Sequence, residues 1–319
     1  MKVVIIGAGD AGSQHAEALR LTPSAELVAV ADLDGEAAGK LAAEHHVPTA
    51  TIDEALSGRL SDAVALCTPP GGRSAAVVTA AENGLAVVVE KPTALSIREL
   101  DEIIAASDKA AVPIATMHQH RMALLPYLAQ LDSAPDFSRA VGVACISRFR
   151  TPGHYRGRTW RTQSALSGGG VLAHLGVHYL DLACQLLGMP VSVQTISRFD
   201  HEALEEVDTR AALSVAFDSG ALLAAYATTF SSGVADYLRV EAPDIRVEFR
   251  GGAVEVVSGD RTLNREGTSI AELRAAVYSE LAQAVGSSSH RLTVCDVRQS
   301  AGVVRILESY REQAEGRSA

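Results

Sequence analysis

"KVVIIGAGDAGSQHAEALR", residues 2–20, decides the fold. A short apolar, β-branched run enters a glycine turn, and a helix-forming segment follows at once. Gly7, Gly9 and Gly12 stand at the spacing G-x-G-x-x-G, and each position has a physical task. The first makes a tight turn, the second lets backbone approach a pyrophosphate, and the third lets helix pack on strand. The loop of Gly7, Ala8, Gly9, Asp10, Ala11 and Gly12 is therefore the candidate dinucleotide cradle, with free N–H groups of the helix start turned to phosphate. A second β-run, "AELVAVAD", follows the helix and ends at Asp32. A carboxylate there binds both ribose hydroxyls and repels a 2′-phosphate, so NAD is expected rather than NADP. The competing reading of the same residues is an ordinary strand–helix turn with a surface aspartate.

Outward from this unit the alternation continues. "AAGKLAAEHH", "GRSAAVVTAAENG" and "SIRELDEIIAASDKA" read as helices between the β-runs "SDAVALCTPP", "LAVVVEKP" and "VPIATMHQHR". Strands separated by helices of this length predict a doubly wound, mostly parallel sheet, the α/β Rossmann class. Ligands of such sheets sit at the carboxyl ends of the strands. Thr68 and Pro69, Glu90 and Lys91, and Gln119 fall at such ends and join the cofactor-contact candidates. Lys91 has two readings: a hydrogen-bond donor to a substrate oxygen, or a solvated lysine paired with Glu90.

From about residue 140 the pattern changes. "VSVQTISRF", "TRAALSVAFDSGALLAAYATTF" and "DYLRVEAPDIRVEFRGGAVEVVSGD" are β-rich runs joined by Asp-Ser-Gly, Pro-Asp and Gly-Gly turns. They predict an α+β domain with an open, largely antiparallel sheet, one face covered by helices and the other free to pair with another subunit. "GGGVLAHLGVHYLD", residues 168–181, opens a helix expected over about 171–187. His174, His178, Asp181 and Gln185 recur at spacings of four, three and four, which places them on one stripe of an otherwise apolar helix. The stripe admits an acid/base site, a zinc pair of His174 and His178, or buried histidines without chemistry.

Composition excludes several classes. The net charge of −10 argues against nucleic acid, whose phosphates need clustered Lys and Arg. No window approaches 18 consecutive apolar residues, the N-terminal apolar run is too short for a signal peptide, and a cytoplasmic protein without a membrane span is expected. Four scattered cysteines, Cys67, Cys145, Cys184 and Cys295, suggest neither a disulfide framework nor a zinc ribbon.

These motifs together resemble the Gfo/Idh/MocA family of NAD(P)-dependent oxidoreductases, relatives of glucose–fructose oxidoreductase and inositol dehydrogenase. The resemblance rests on "GAGDAG", "EKP", "QHR" after the sixth strand, "WR" at 160–161 ahead of "GGG", "GVHYLD", and the closing "SSSHRLTVCDVRQSAGVVRILES". It implies a Rossmann domain over 1–121, with a last helix of about 294–314 returning to it, and a substrate and oligomerisation domain over 122–293. It implies that Lys91 and His178 act on a substrate hydroxyl and that Pro92 is cis. Relatives often carry Asp where this chain has His174, which leaves Asp181 as the candidate to orient His178. Arg121, Tyr155, Arg158, Trp160 and Arg161 are candidate substrate contacts, and no metal is expected. The resulting expectation is an NAD-dependent dehydrogenase or reductase of a sugar, cyclitol or sugar derivative, forming a homodimer or homotetramer. The alternatives are a non-catalytic NAD-responsive regulator and a metal-dependent hydrolase using His174 and His178.

Overall fold

The computed structural model describes residues 1–131, 133–156, 159–200, 207–287 and 289–315. The chain divides into two compact units, the first made of Met1–Ala94, Arg98–Met122 and Ser269–Gln299, the second of the remainder.

In the first unit the elements follow the sequence alternation. They are β1 (Lys2–Ile6), α1 (Asp10–Arg20), β2 (Glu26–Ala31), α2 (Gly35–Glu44), the short α3 (Ile52–Leu56), β3 (Ala63–Leu66), α4 (Arg73–Glu82), β4 (Ala86–Val89), α5 (Ile97–Ala110) and β5 (Ile114–Thr116). The strands form a parallel sheet in the order β2-β1-β3-β4-β5. Every residue of β3 and β4 is buried, as strands covered on both faces require. "QHR" thus follows the fifth strand of the sheet, not a sixth. The exposed edge of β5 is closed by the distant 295–296 segment, with Thr116 N–H donating to Cys295 O at 2.8 Å and a bridge from Ala115 to Asp296. Such cover removes an open row of backbone donors and acceptors.

In the second unit, α6 (Arg121–Leu128, its first residues counted with the first unit) leads to β6 (Val141–Ser147), then α7 (Pro152–Arg156), α8 (Ser164–Ser167) and α9 (Val177–Leu187). There follow β7 (Pro190–Asp200), β8 (Asp208–Phe217), β9 (Leu222–Thr228), β10 (Ala235–Ala242), β11 (Ile245–Arg250), β12 (Ala253–Ser258) and β13 (Arg261–Arg265). The eight strands run β13-β12-β11-β10-β6-β9-β8-β7, antiparallel except for the parallel neighbours β6 and β9. The hairpin turns fall where the glycines stand, with positive φ at Gly220, Gly251 and Gly252. One face of this sheet packs on α9; the other carries the exposed side chains of Val141, Val143, Leu222 and Tyr226.

The last two helices, α10 (Ile270–Gly286) and α11 (Ala301–Glu315), separate. α10 packs on α1 in the first unit, whereas α11 packs on α9 and β7 in the second. This differs from the expectation that a helix over 294–314 returns to the nucleotide-binding unit: Ser269–Gln299 returns, and α11 does not belong to it. The physical reason lies in the buried side of α11, where Val303, Val304, Ile306 and Leu307 supply apolar surface. Gly302 there fits against Cys184 of α9, where a Cβ would stand 2.9 Å from the Cys184 Sγ. Among the described residues one helical run, Ser164–Leu187, is long and apolar enough to cross a membrane by length and composition, and 78% of its apolar window is buried inside the protein.

Candidate active site

The glycine turn is built as its spacing requires. Gly7 has φ of 108°, and a Cβ on it would lie 2.8 Å from the carbonyl carbon of Cys67 at the end of β3. A Cβ on Gly12 would lie 2.1 Å from Gly7 O, so only glycine lets α1 close on the turn. α1 begins after Gly9 without a side-chain cap, which leaves its first N–H groups to a ligand or solvent. Asp32 follows β2 directly. One of its oxygens accepts the Ala8 N–H at 2.6 Å and the other the Asp34 N–H at 2.9 Å, so the carboxylate is locked onto the glycine loop. Thr68 and Pro69 are half-buried after β3. Gln119 is buried, and among the described residues its side-chain oxygen has no hydrogen-bond partner. An uncapped helix start, a cradle with no room for a Cβ, a fixed carboxylate on the loop and an orphaned amide oxygen fit a dinucleotide.

Glu90 and Lys91 follow β4, and the Lys91–Pro92 peptide is cis. Glu90 is buried with its carboxylate turned into the unit. Its Oε1 accepts the Arg274 guanidinium at 2.7 Å and faces His15 Nε2 at 3.1 Å, while Oε2 accepts the Lys91 N–H at 3.0 Å. Tyr278 OH lies 2.5 Å from His15 Nδ1, and Arg274 also reaches Gln14 Oε1 at 2.9 Å. From the other side Arg73, of α4, donates to Glu90 O, to Pro92 O and, at 2.8 Å, to Thr68 O. Burial by itself would raise the Glu90 carboxyl, but Arg274 and His15 outweigh it and hold it well below the ordinary value. Burial pushes His15 down, against the hydrogen bond to Glu90. Burial also lowers Arg73, to about 10. The backbone of Lys91 is thus gripped at both neighbours by buried charge.

In the second unit, the helix carrying the polar stripe starts with a π-turn over Leu172–Gly176, which passes into α9. Such turns are rare and often mark functional positions. His174, His178 and Gln185 are half-buried and Asp181 is buried, on a helix whose other residues are mostly buried and apolar. The helix start is held from β8: Asp208 accepts the Gly170 N–H at 2.9 Å and the Val171 N–H at 3.1 Å. The His174 ring packs against Trp160 at 5.6 Å between centroids, and the Arg161 guanidinium stands 5.5 Å over Trp160. Arg161 also donates to His154 O at 3.0 Å, and Tyr155 OH donates to Thr229 Oγ1 at 3.0 Å. Trp160, Arg161 and His174 therefore gather in one cluster, with Tyr155 linked to it through His154.

Two substrate-contact candidates fare differently. Arg158 lies outside the described residues. Arg121 is completely buried, its guanidinium bonded to Val294 O at 3.3 Å, Gln299 Oε1 at 3.2 Å and Gln299 O at 3.1 Å. It fastens the 294–299 segment. Among the described residues, no three His, Cys, Asp or Glu side chains come together as a metal site.

Sequence reasoning missed His15, Arg73, Arg274, Tyr278, Asp208 and Thr229. For the α10 pair a signal existed: Arg274 and Tyr278 are four apart, so both meet one neighbour on one helix face. Nothing local marks Asp208 as a cap for residues nearly forty positions earlier.

Two family models match the chain: the oxidoreductase family with an NAD-binding Rossmann fold over residues 1–118, and the GFO/IDH/MocA C-terminal domain over residues 140–255. Among curated proteins, scyllo-inositol 2-dehydrogenase (NAD(+)) of Bacillus subtilis is 31% identical over 235 residues, 69% of this chain and 65% of that protein. D-xylose 1-dehydrogenase (NADP(+)) 2 of Haloferax volcanii is 29% identical over 225 residues, 70% of this chain and 67% of that protein. The aligned parts thus span about two thirds of these relatives. Among solved structures, levoglucosan dehydrogenase in complex with NADH and levoglucosan shares the fold at a TM-score of 0.85 and 17% identity, covering 99% of this chain and 97% of the other. UDP-N-acetylglucosamine 3-dehydrogenase from Acidithiobacillus ferrooxidans does so at 0.81 and 22%, covering 98% and 97%. With both halves matched in order, and with relatives that are dehydrogenases of sugars and inositols, the chain belongs to the Gfo/Idh/MocA oxidoreductase family.

Proposed function

We propose that the protein is an NAD-dependent dehydrogenase or reductase acting on a secondary alcohol or ketone of a sugar, cyclitol or sugar derivative. The observation that carries this reading is the half-buried pair His174 and His178 on a mostly apolar, buried helix, with His174 packed on Trp160. Bound at the glycine cradle, a nicotinamide dinucleotide supplies the hydride acceptor or donor. His178 takes the proton of the substrate hydroxyl as general base and returns it in the reverse direction. Asp181, one turn on, orients His178. Lys91 hydrogen-bonds the same oxygen and stabilises the charge that develops on it. Its backbone N–H is bonded to Glu90, which fixes the point from which the side chain extends. His174 contacts the substrate in the place where relatives often carry Asp, and Trp160 gives a sugar ring an apolar face.

NAD is the preferred dinucleotide because the Asp32 carboxylate is held at the end of β2, where a 2′-phosphate would meet a fixed negative charge. The unit is expected to work as a homo-oligomer through the exposed face of β6 and β9.

The experiment is steady-state turnover on a panel of sugars and inositols with NAD and with NADP. His178→Ala and Lys91→Ala should each lose at least about a hundredfold in kcat, the range of a general base or a charge-stabilising donor, while still binding NADH. NAD should give the higher kcat/KM. Full activity in either variant, on a substrate the wild type uses, removes that residue's role. NADH binding with no turnover on any polyol favours a non-catalytic regulator.

A further inference from the structure

Lys91 stands just before the chain changes unit. Residues up to Ala94 belong to the first unit, Leu95–Ile97 to the second, and Arg98 to the first again. Before this crossing the chain is fixed by Glu90 on the Lys91 N–H, by Arg73 on Pro92 O, and by Thr93, whose hydroxyl lies 2.6 Å from that of Thr116. After it the anchor is α11. Glu308 accepts the Ile97 N–H at 3.2 Å, and Arg311 donates to Leu95 O. The two side chains stand three residues apart, so one face of the helix holds both ends of the Leu95–Ile97 segment.

Arg311 makes a second contact. The other terminal nitrogen of its guanidinium donates to Gly168 O at 3.2 Å. Gly168 closes α8 with φ of 75° and opens the glycine-led entry to the helix of His174 and His178. Asp208 takes the N–H groups of that entry at Gly170 and Val171, and Arg311 takes its first carbonyl. One guanidinium therefore binds a carbonyl four residues after Lys91 and another that precedes His174 by six residues and His178 by ten. Leu95, Gly168, Glu308 and Arg311 all belong to the second unit. A planar fork of N–H donors suits two carbonyls at once, as a lysine ammonium does not. Holding α11 in place does not account for this bridge. The helix docks through its own apolar side, and Gln313 clamps it to β7, accepting the Thr195 N–H at 3.0 Å and donating to Val193 O at 2.8 Å.

We propose that Arg311, supported by Glu308, is a positioning residue of the active site. It ties the segment after Lys91 and the entry to the histidine helix to one side chain, so that the donor and the base keep their places for one substrate oxygen. This deepens the dehydrogenase reading above and rests on it. Both residues act through the groups they hold, and a displacement of about 1 Å in such groups is enough to cost about a hundredfold in rate.

The test uses the full-length enzyme with NAD and a polyol that the wild type turns over. Arg311→Met should lower kcat about tenfold to a hundredfold, with KM for NAD within about twofold of the wild type. Arg311→Lys keeps the charge without the fork and should lose about fivefold, the scale of one hydrogen bond. It carries the test if Arg311→Met does not fold. Gln313→Ala releases the clamp on β7 and should leave kcat unchanged, which separates positioning from a loosened helix. The losses should also be non-additive: in Lys91→Ala and in His178→Ala, the further fold-loss from Arg311→Met should be smaller than in the wild type. Wild-type kcat in Arg311→Met (or in Arg311→Lys where that alone folds), an equal loss in Gln313→Ala, or full additivity in both backgrounds overturns the proposal. If no polyol is turned over, the dehydrogenase reading falls and amide exchange decides the tether by itself. Faster exchange over 91–97 and 168–174 in Arg311→Met keeps the tether; unchanged exchange in either segment overturns it.

Discussion

Glu90 shows how much one residue's surroundings decide. In sequence it is the neighbour of Lys91 and a candidate contact of the cofactor. In the fold it is buried, bonded to Arg274, facing His15 and accepting the Lys91 N–H. Breaking such a buried pair at one end leaves an uncompensated charge, at a cost of about 3–5 kcal/mol. The same cluster gives the protein an acid sensitivity. Burial holds His15 below the ordinary 6.5, so folding favours the neutral ring. Its contribution is complete above 6.5 and is lost as pH falls from 6.5 toward the folded value, by at most about 1.4 kcal/mol per pH unit. Glu90 has a depressed pKa, so its contribution holds above the ordinary 4.5 and is lost as pH falls through the folded value. Both effects act in one direction. The melting temperature should fall from about pH 7 to about pH 5, and His15→Gln should flatten that fall. A variant profile parallel to the wild type would remove His15 from the account. Legibility at this scale was partial: the glycines and Asp32 reveal themselves through spacing. His15 and Arg274 reach Glu90 from 75 and 184 positions away, and no local pattern encodes that.

At the scale of elements, the helix of the polar stripe is the instructive case. Its apolar periodicity and the terminal Gly188 place it over about 171–187, and α9 indeed ends at Leu187. The π-turn over Leu172–Gly176 is a matter of hydrogen-bond pattern, to which side-chain periodicity is nearly blind. The start of the helix depends on another element. Asp208 of β8 satisfies two N–H groups there, and Gly170 is needed because a Cβ would lie 1.9 Å from Asp208 O. Asp208→Ala should therefore cost about 1–2 kcal/mol in urea unfolding, the value of a lost helix cap, and should lower turnover through the displaced histidines. Unchanged stability would show that the cap contributes nothing. The hairpins from β8 to β13 are legible for the opposite reason: each is closed by a turn that glycine or Pro-Asp sets locally.

At the scale of the whole molecule, the eight-stranded sheet leaves Val141 (59% exposed), Val143 (44%), Leu222 (56%) and Tyr226 (43%) on one face of the neighbours β6 and β9. Charged ladders flank them, with Arg239 opposite Glu248 and Glu241 opposite Arg246 on β10 and β11. An apolar centre with a charged rim is the anatomy of a subunit interface. Sedimentation velocity should give a dimer or tetramer, and Val143→Glu combined with Tyr226→Arg should shift it to monomer; a monomeric wild type would end this reading. By itself, the sequence determined the two fold classes, the nucleotide cradle, the hairpins and the stripe of His174, His178 and Asp181. All of these rest on interactions among residues close in the chain, where spacing is geometry. Only the tertiary structure decided that Ser269–Gln299 belongs with the first unit and α11 with the second. It also decided that Arg121 is a buried clamp and that Glu90 anchors Lys91. Those outcomes depend on which distant side chains share a buried space, where an unpaired charge costs most, and that choice is made by packing rather than by spacing.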